Sequence, residues 1–461
     1  MKPFYRRPDY LPEAPPPVTF ERVVQEQSNK SGIGIEGDVI SKITPNILKK
    51  LGDTHHRDVL YSRNGAAHFL IFQPQTVSEV LVDKATSFTK GEEELALAKA
   101  LGWGLLVDEG PSHRDRQTQI GPAFRGAALE QYVEAVSRVA SMQVASLRNH
   151  NATPLLDWAR NFAQHAAEKS LFPSVERQPN YQFGSAVRHI NELAFRNDWE
   201  RLSAPEALRK TRVGLTHRQF LADYVMAIID DWRENSRTDP TLMDYIVGDS
   251  HEDMEVGSSV HAQVALFMQA AMETTGSLLS WGISSLAARP DVWAQLVAEA
   301  RAQRPESAYE NIQLPVMRSV LEETLRQYPP AWLLPRIAAE DVEVGGFLVP
   351  KGSRLVVSPW VTHRDAQTFV KPDEFLPSRW SDTFRTSLPR GAYYPFGLGK
   401  RICIGERFAR LNASILLREL ALTTTNIRLS QPASEVHTSA LIANINPDIT
   451  LSLMEPGEPV S

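Results

Sequence analysis

The chain has one cysteine among its 461 residues, so no intramolecular disulfide can form and a small stapled extracellular scaffold is excluded. Positive charge is not in excess either. Lys and Arg number 49 against 55 Asp and Glu, a formal net charge of -6, which is the wrong sign for a general nucleic-acid binder. No apolar run approaches the length that spans a bilayer; VALFMQAAM (264–272) is short and contains Gln269. The opening MKPFYRRPDYLPEAPPPVTF carries charge and proline but no apolar core, so it does not read as a secretory signal. No Gly-x-Gly-x-x-Gly at a strand–helix junction marks a nucleotide-binding module, and no repeat or low-complexity linker divides the chain. These absences lead us to expect a cytoplasmic protein forming one domain over 1–461. Residues 1–50 are expected to be an irregular or helical lead, with no transmembrane anchor and no nucleic-acid partner.

What is present is a large apolar fraction, 42%, enough for a sizeable core, beside an ordinary 23% of charged residues. Alternation around 57–61 and 67–73 predicts short strands, and TVSEVLVDK (76–84) predicts a helix. The Gly-punctuated stretch 87–112 reads as a long loop with a helical turn at 94–101. Two helices follow up to Arg148, broken near Gly121 and Pro122, and 152–230 is mostly helical with breaks near Pro173, Pro179 and Pro205. From Val256 to about Arg289 apolar residues surround much of the helix circumference, which predicts a long helix buried on several sides. Another helix, 316–328, stops at Pro329 and Pro330. Strand-like pieces occupy 341–360, a loop-rich stretch covers 376–405, and a last helix spans about 404–420. IRLS (427–430) and TLSL (450–453) alternate as small strands. The fold class expected is mainly α with small antiparallel β-sheets.

The decisive segment is FGLGKRICIGERFARL (396–411), in which Phe396, Gly399, Arg401, Cys403 and Gly405 precede a helical pattern. A thiolate near a helix start is favoured by the dipole and by nearby N–H groups. Glycines let the backbone wrap the sulfur and approach a flat cofactor, and Phe396 would shield the sulfur from water. This spacing resembles the haem-binding signature of the cytochrome P-450 family. The resemblance implies that fold, with a long buried distal helix over haem b (iron protoporphyrin IX), and makes Cys403 the axial ligand of the iron. Arg401 would pair with a haem propionate.

Three further segments carry the same resemblance in the expected order. Glu323 and Arg326 form an E-x-x-R pair on one helix face; alone this is an ordinary surface ion pair. With Arg379, in the later segment PDEFLPSRW (372–380), the three are implied to lock the cysteine loop to a core helix. Within the long helix, Glu273 and Thr274 match an acid–alcohol pair. The resemblance implies that Thr274 steadies water and dioxygen while Glu273 relays protons, although Thr274 bonding back to a carbonyl is the plainer alternative. The family pattern has Gly where this chain has Ala271, whose methyl narrows the space nearby. The segment 113–124 is similar to a helix crossing one haem edge, which makes His113 a propionate contact. Gln117 stands where a second basic residue is usual, so that contact weakens or moves to Arg116. Arg336 resembles another propionate-binding arginine.

The implied activity is monooxygenation, with dioxygen as co-substrate and Thr274 and Glu273 controlling protons. Electrons would come indirectly from NAD(P)H through a separate ferredoxin or flavodoxin and its reductase, docking on some of Lys400, Arg407 and Arg410. A pocket of Phe88, Leu95, Leu101, Trp103, Phe267, Ala270, Ala271 and Leu334 implies a hydrophobic small-molecule substrate. The segments LRQYPPAWLL, LVVSPWVTHR and YYPFGLGKRICIG are similar to those of soluble bacterial members acting on carotenoids or long-chain lipids. The order of expectation is therefore terpenoid or carotenoid, then fatty acid. A peroxide-driven oxygenase, a haem-dependent rearrangement enzyme and a non-catalytic haem sensor stay open as alternatives.

Overall fold

The computed structural model describes residues 18–19, 23, 34–39, 44–55, 58–63, 66–148, 152–173, 183–187, 212–235, 239–248, 254–439 and 441–453. The breaks expected at Pro179 and Pro205 lie outside them. The chain divides into two units: residues 96–324 with 404–461, and residues 9–95 with 325–403. The boundary falls inside the helix Pro315–Gln327. The expected architecture, mainly helical with small sheets, is the one observed.

The first unit is built on the helix Ser259–Ala287. Ser258 caps it by accepting the His261 N–H at 3.1 Å, and Pro290 opens the next helix, Pro290–Ala302. Helix Leu155–Ser170 packs along it, with Ala127–Leu147 and Glu406–Thr423 beyond. Gly276 marks the helix crossing, because a Cβ there would sit 2.6 Å from Arg160 Cγ and 3.0 Å from its Cα. At its other end the Ser277 hydroxyl and the Trp281 indole both donate to the Ala443 carbonyl, tying the helix to a two-stranded sheet, His437–Ser439 with Ile442–Asn444. A break at Gly121–Phe124 separates Gly110–Ile120 from Ala127–Leu147, where the Gly–Pro pair predicts it.

The second unit carries a six-stranded sheet in the order Gly34–Val39, Val59–Arg63, Ala66–Ile71, Arg354–Val357, Leu334–Ala338, Phe88–Lys90. Two pairings are parallel, the first with the second strand and the third with the fourth; the other three are antiparallel. Leu60, Phe69, Ile71, Phe88, Leu355 and Val357 supply its core, with Val80, Leu81 and Tyr394 packed in. The register sets Arg336 between Lys90 and Leu355. Two elements depart from expectation. The strand Gly34–Val39 lies in the stretch expected to be an irregular or helical lead, and Phe88–Lys90 lies in the stretch expected to be loop. Both owe their existence to partners far away in sequence, which local periodicity does not register. Among the described residues no helix is long and apolar enough to cross a membrane.

Candidate active site

The cysteine loop is closed by its own backbone. The Cys403 N–H donates to the Phe396 carbonyl at 2.8 Å, Ile402 to Gly399 at 3.1 Å, and Gly397 to Tyr394 at 2.9 Å. Gly399 has φ 70, and a Cβ there would run into the Leu81 carbonyl oxygen, so only glycine lets the loop lie against Glu79–Asp83. The thiol is unbridged and exposed, and the neighbouring Ile402 is 43% exposed.

Tyr394 anchors the root of this loop. Its buried hydroxyl lies 2.9 Å from Thr362 Oγ1, and its N–H donates to His363 Nε2 at 2.9 Å. Burial holds His363 well below the usual imidazole range, with the charges of Arg326 and Arg364 acting the same way, so the ring is neutral and its nitrogen accepts. The same burial pushes the Tyr394 phenol up. Arg326, fully buried, donates to the carbonyls of His363 at 2.9 Å, Pro372 at 2.7 Å and Glu374 at 3.2 Å. Arg379 donates to Val370 at 2.6 Å, Lys371 at 3.1 Å and Glu374 at 3.4 Å. The two arginines thus share the Glu374 carbonyl and stiffen the loop before the cysteine. Glu323 is fully buried in its helix.

In the long helix every residue from Val260 to Leu286 is buried except Phe267, Ala270, Ala271 and Thr274. Their spacing puts them on one face, so the helix is covered all round apart from a single open stripe. Thr274 Oγ1 donates to the Ala270 carbonyl at 2.7 Å, the plainer back-bonding arrangement, and remains half-exposed. Glu273 lies off this stripe. It is 1% exposed, and its Oε2 accepts from Arg160 Nη2 at 2.6 Å. Arg160, 5% exposed, also lies 3.9 Å from the carboxylate of Asp157, which reaches solvent.

The other expected residues fall as follows. His113 is buried on Gly110–Ile120. Arg116 is committed to Asp108 at 2.5 Å and to Ser259 at 3.1 Å, so it does not take over from Gln117 as a spare cation. Arg336 Nη1 donates to the Pro335 carbonyl at 2.7 Å and lies 3.7 Å from Glu94. Arg401 is half-buried and Gly405 ends the turn before helix Glu406–Thr423. In the cysteine-bearing unit Phe88 is buried while Leu95 and Leu334 are half-buried; in the other, Leu101 and Trp103 are buried. Lys400 and Arg407 are exposed, whereas Arg410 pairs with Glu406 at 3.0 Å.

Sequence reasoning missed Arg160, His363 and Tyr394. Arg160 left a readable signal: Asp157, Arg160, Gln164 and Glu168 recur at helical spacing through an otherwise apolar segment. The donor set fits a haem. Among the described residues no three His, Cys, Asp or Glu side chains gather to hold a bare metal ion. A single accessible thiol on a glycine-shaped loop suits a metal whose remaining ligands come from a macrocycle. Cys403 would supply the thiolate that holds the haem, and Arg336 and Arg401 of the same unit would offer charged donors to its carboxylates.

A cytochrome P-450 family profile matches residues 38–431. Cyclooctatin synthase of Streptomyces melanosporofaciens is 28% identical over 391 residues, covering 79% of this chain and 82% of that protein. Pentalenene oxygenase of Streptomyces avermitilis is 26% identical over 420 residues, covering 87% of this chain and 92% of that one. A six-coordinated cytochrome P-450 from Thermus thermophilus has a TM-score of 0.69 at 23% identity, over 92% of this chain and 100% of that one.

Proposed function

This chain belongs to the cytochrome P-450 family and is a haem monooxygenase, and from that premise we propose that Cys403 supplies the thiolate and that the substrate is a terpenoid. The observation that carries the reading is the exposed, unbridged Cys403 at the end of a loop closed by its own N–H on Phe396. When bound, the haem activates dioxygen, one atom of which enters the substrate while the other leaves as water.

The remaining work belongs to side chains of this protein. The Cys403 N–H on the Phe396 carbonyl closes the loop that presents the sulfur. Arg401 and Arg336 would bind propionates by charge-assisted hydrogen bonds. Phe267, Ala270 and Ala271 give the substrate an apolar wall that excludes water and favours a compact hydrocarbon. Thr274 Oγ1 is the polar atom on that wall. Released from the Ala270 carbonyl, its hydroxyl would hold a proton beside the substrate. Glu273, whose carboxylate accepts from Arg160, would relay protons from solvent toward Thr274 once that contact opens. Terpenoid as the substrate class is supported by the relative named for oxygenating pentalenene. A carotenoid or a fatty acid follows in order.

Electrons come from NAD(P)H through a separate ferredoxin or flavodoxin and its reductase, and these acidic carriers dock on Lys400 and Arg407. A cytoplasmic setting goes with that supply of reduced nucleotide. One observation favours the peroxide-driven alternative: the Glu273 carboxylate is committed to Arg160 instead of standing free for proton relay. Turnover of a terpene under isotopically heavy dioxygen, with reduced carrier proteins, decides between them. The reading requires one heavy atom per product molecule and no product from peroxide alone; product from peroxide with none from dioxygen would reverse it.

A further inference from the structure

The open stripe of the long helix continues past Phe267 to a polar residue. Gln263 lies four, seven and eleven residues before Phe267, Ala270 and Thr274, offsets that return to within about 40° on an α-helix. Unlike the stripe, Gln263 is only 1% exposed, because residues 103–105 cover it. The Leu105 N–H donates to Gln263 Oε1 at 3.3 Å. Gly104 lies so close that a Cβ would sit 2.8 to 2.9 Å from the amide atoms.

These contacts orient the amide. Its oxygen is the accepting end, so Nε2 is the donor, and it has no acceptor. The residue before Gly104 repeats the pattern: Trp103 is 7% exposed, and its indole N–H is buried with no acceptor. Buried donors are rarely left unmatched in native proteins, and two on one short covering segment and the residue beneath it call for one occupant. The occupant must present oxygen. It should also be neutral, because the two basic groups nearest in sequence to the helix start and its cover do not supply a free positive charge. His261 is held down to about 4 by burial, and Arg116 is paired with Asp108 at 2.5 Å.

We propose that Gln263 Nε2 and Trp103 Nε1 form a donor pair for a hydroxyl, ether or carbonyl oxygen of the substrate. That oxygen lies about 10 Å along the helix from Ala270, seven residues at the α-helical rise. The substrate is therefore an already oxygenated terpenoid. The enzyme acts after a step that installs oxygen at the far end, either an earlier hydroxylation or a cyclisation quenched by water. This rests on the reading of the stripe as the substrate wall. It also ranks a fatty acid, whose carboxylate would be buried without a counter-charge, below a terpene alcohol.

The test uses the purified holoprotein and four probes on one skeleton: farnesene, farnesol, farnesyl methyl ether and farnesoic acid. Dissociation constants are taken from spin-state titration and, independently of the haem spectrum, from equilibrium dialysis. Farnesol and the methyl ether should bind about tenfold more tightly than the hydrocarbon and the acid. Gln263→Leu and Trp103→Phe should each remove that advantage, weakening farnesol and its methyl ether about tenfold more than farnesene. Trp103→Phe keeps an aromatic ring in place, so it stands as the test even where Gln263→Leu fails to fold. If all four probes bind wild type equally, or if both variants weaken farnesene and farnesol alike, the donor pair is wrong while the terpenoid reading survives. If none of the four binds, the terpenoid reading falls and takes the donor pair with it.

Discussion

Replacing Arg160 by leucine isolates the least expected feature of the long helix. The Arg160–Glu273 contact is 2.6 Å long with both side chains almost wholly enclosed, and Glu273 Oε1 has no hydrogen-bond partner of its own. Arg160→Leu therefore strands a carboxylate in a dry site. Removing one member of a buried pair typically costs about 3–5 kcal/mol, whereas replacing both by uncharged groups is close to neutral. For a chain of 461 residues unfolding as one cooperative unit, an unfolding entropy of about 2.1 cal/mol/K per residue makes ~1 kcal/mol worth about 1 °C. Arg160→Leu should lower Tm by about 3–5 °C on that scale. Glu273→Gln should lower it less, because Asp157 remains 3.9 Å from the guanidinium. The double variant should recover most of the Arg160→Leu loss. Circular-dichroism melts of all four proteins complete the cycle. Additive losses, or an Arg160→Leu protein as stable as wild type, would show that the pair does not carry the energy assigned to it.

Other consequences can be checked with similar means. Gly276→Ala should cost about 1–3 kcal/mol by pushing the helix off Arg160, read from chemical denaturation. Gly399→Ala combines an unfavourable φ with a collision at the Leu81 carbonyl and should lower haem occupancy of purified protein severalfold, measured by the haem-to-protein absorbance ratio. Asp58 is buried beneath the N–H groups of Phe72 and Gln73, and desolvation raises it from 3.8 to about 6. A carboxyl raised on folding favours the protonated native state, so stability should fall as pH rises from about 4 to 6, by on the order of 2–3 kcal/mol in all. Asp58→Asn should flatten that slope in melts across this range; an unchanged slope would assign it to other groups. Charge reversal at Lys400 and Arg407 should slow reduction by an acidic carrier, with the difference shrinking at high salt.

The parts legible in the sequence are those whose requirements are local. The loop around Cys403 packs its positive-φ glycines, its shielding Phe396 and its thiol into a few consecutive residues. The long helix announces itself because burial on nearly every side leaves an apolar circumference. Residue type foreshadows the Arg326 and Arg379 contacts, although not the Glu374 carbonyl they share. What stays hidden depends on distant partners. Arg160 meets Glu273 across 113 residues, and Tyr394 meets His363 across 31. Glu273 illustrates the limit well: its residue type points to proton transfer, but nothing local announces that its carboxylate faces an arginine. Phe88–Lys90 reads as loop for the same reason, since three residues carry no period and their partner strand begins at Leu334.

The central claim is that sulfur from Cys403 donates directly to haem iron, and the absorption spectrum of reduced, carbon monoxide-treated protein tests it most directly. Wild type should show a strongly red-shifted Soret band, and Cys403→Ser should return the band to the position of ordinary haem proteins. An unshifted band in wild type, or a shifted one that survives the substitution, would contradict it.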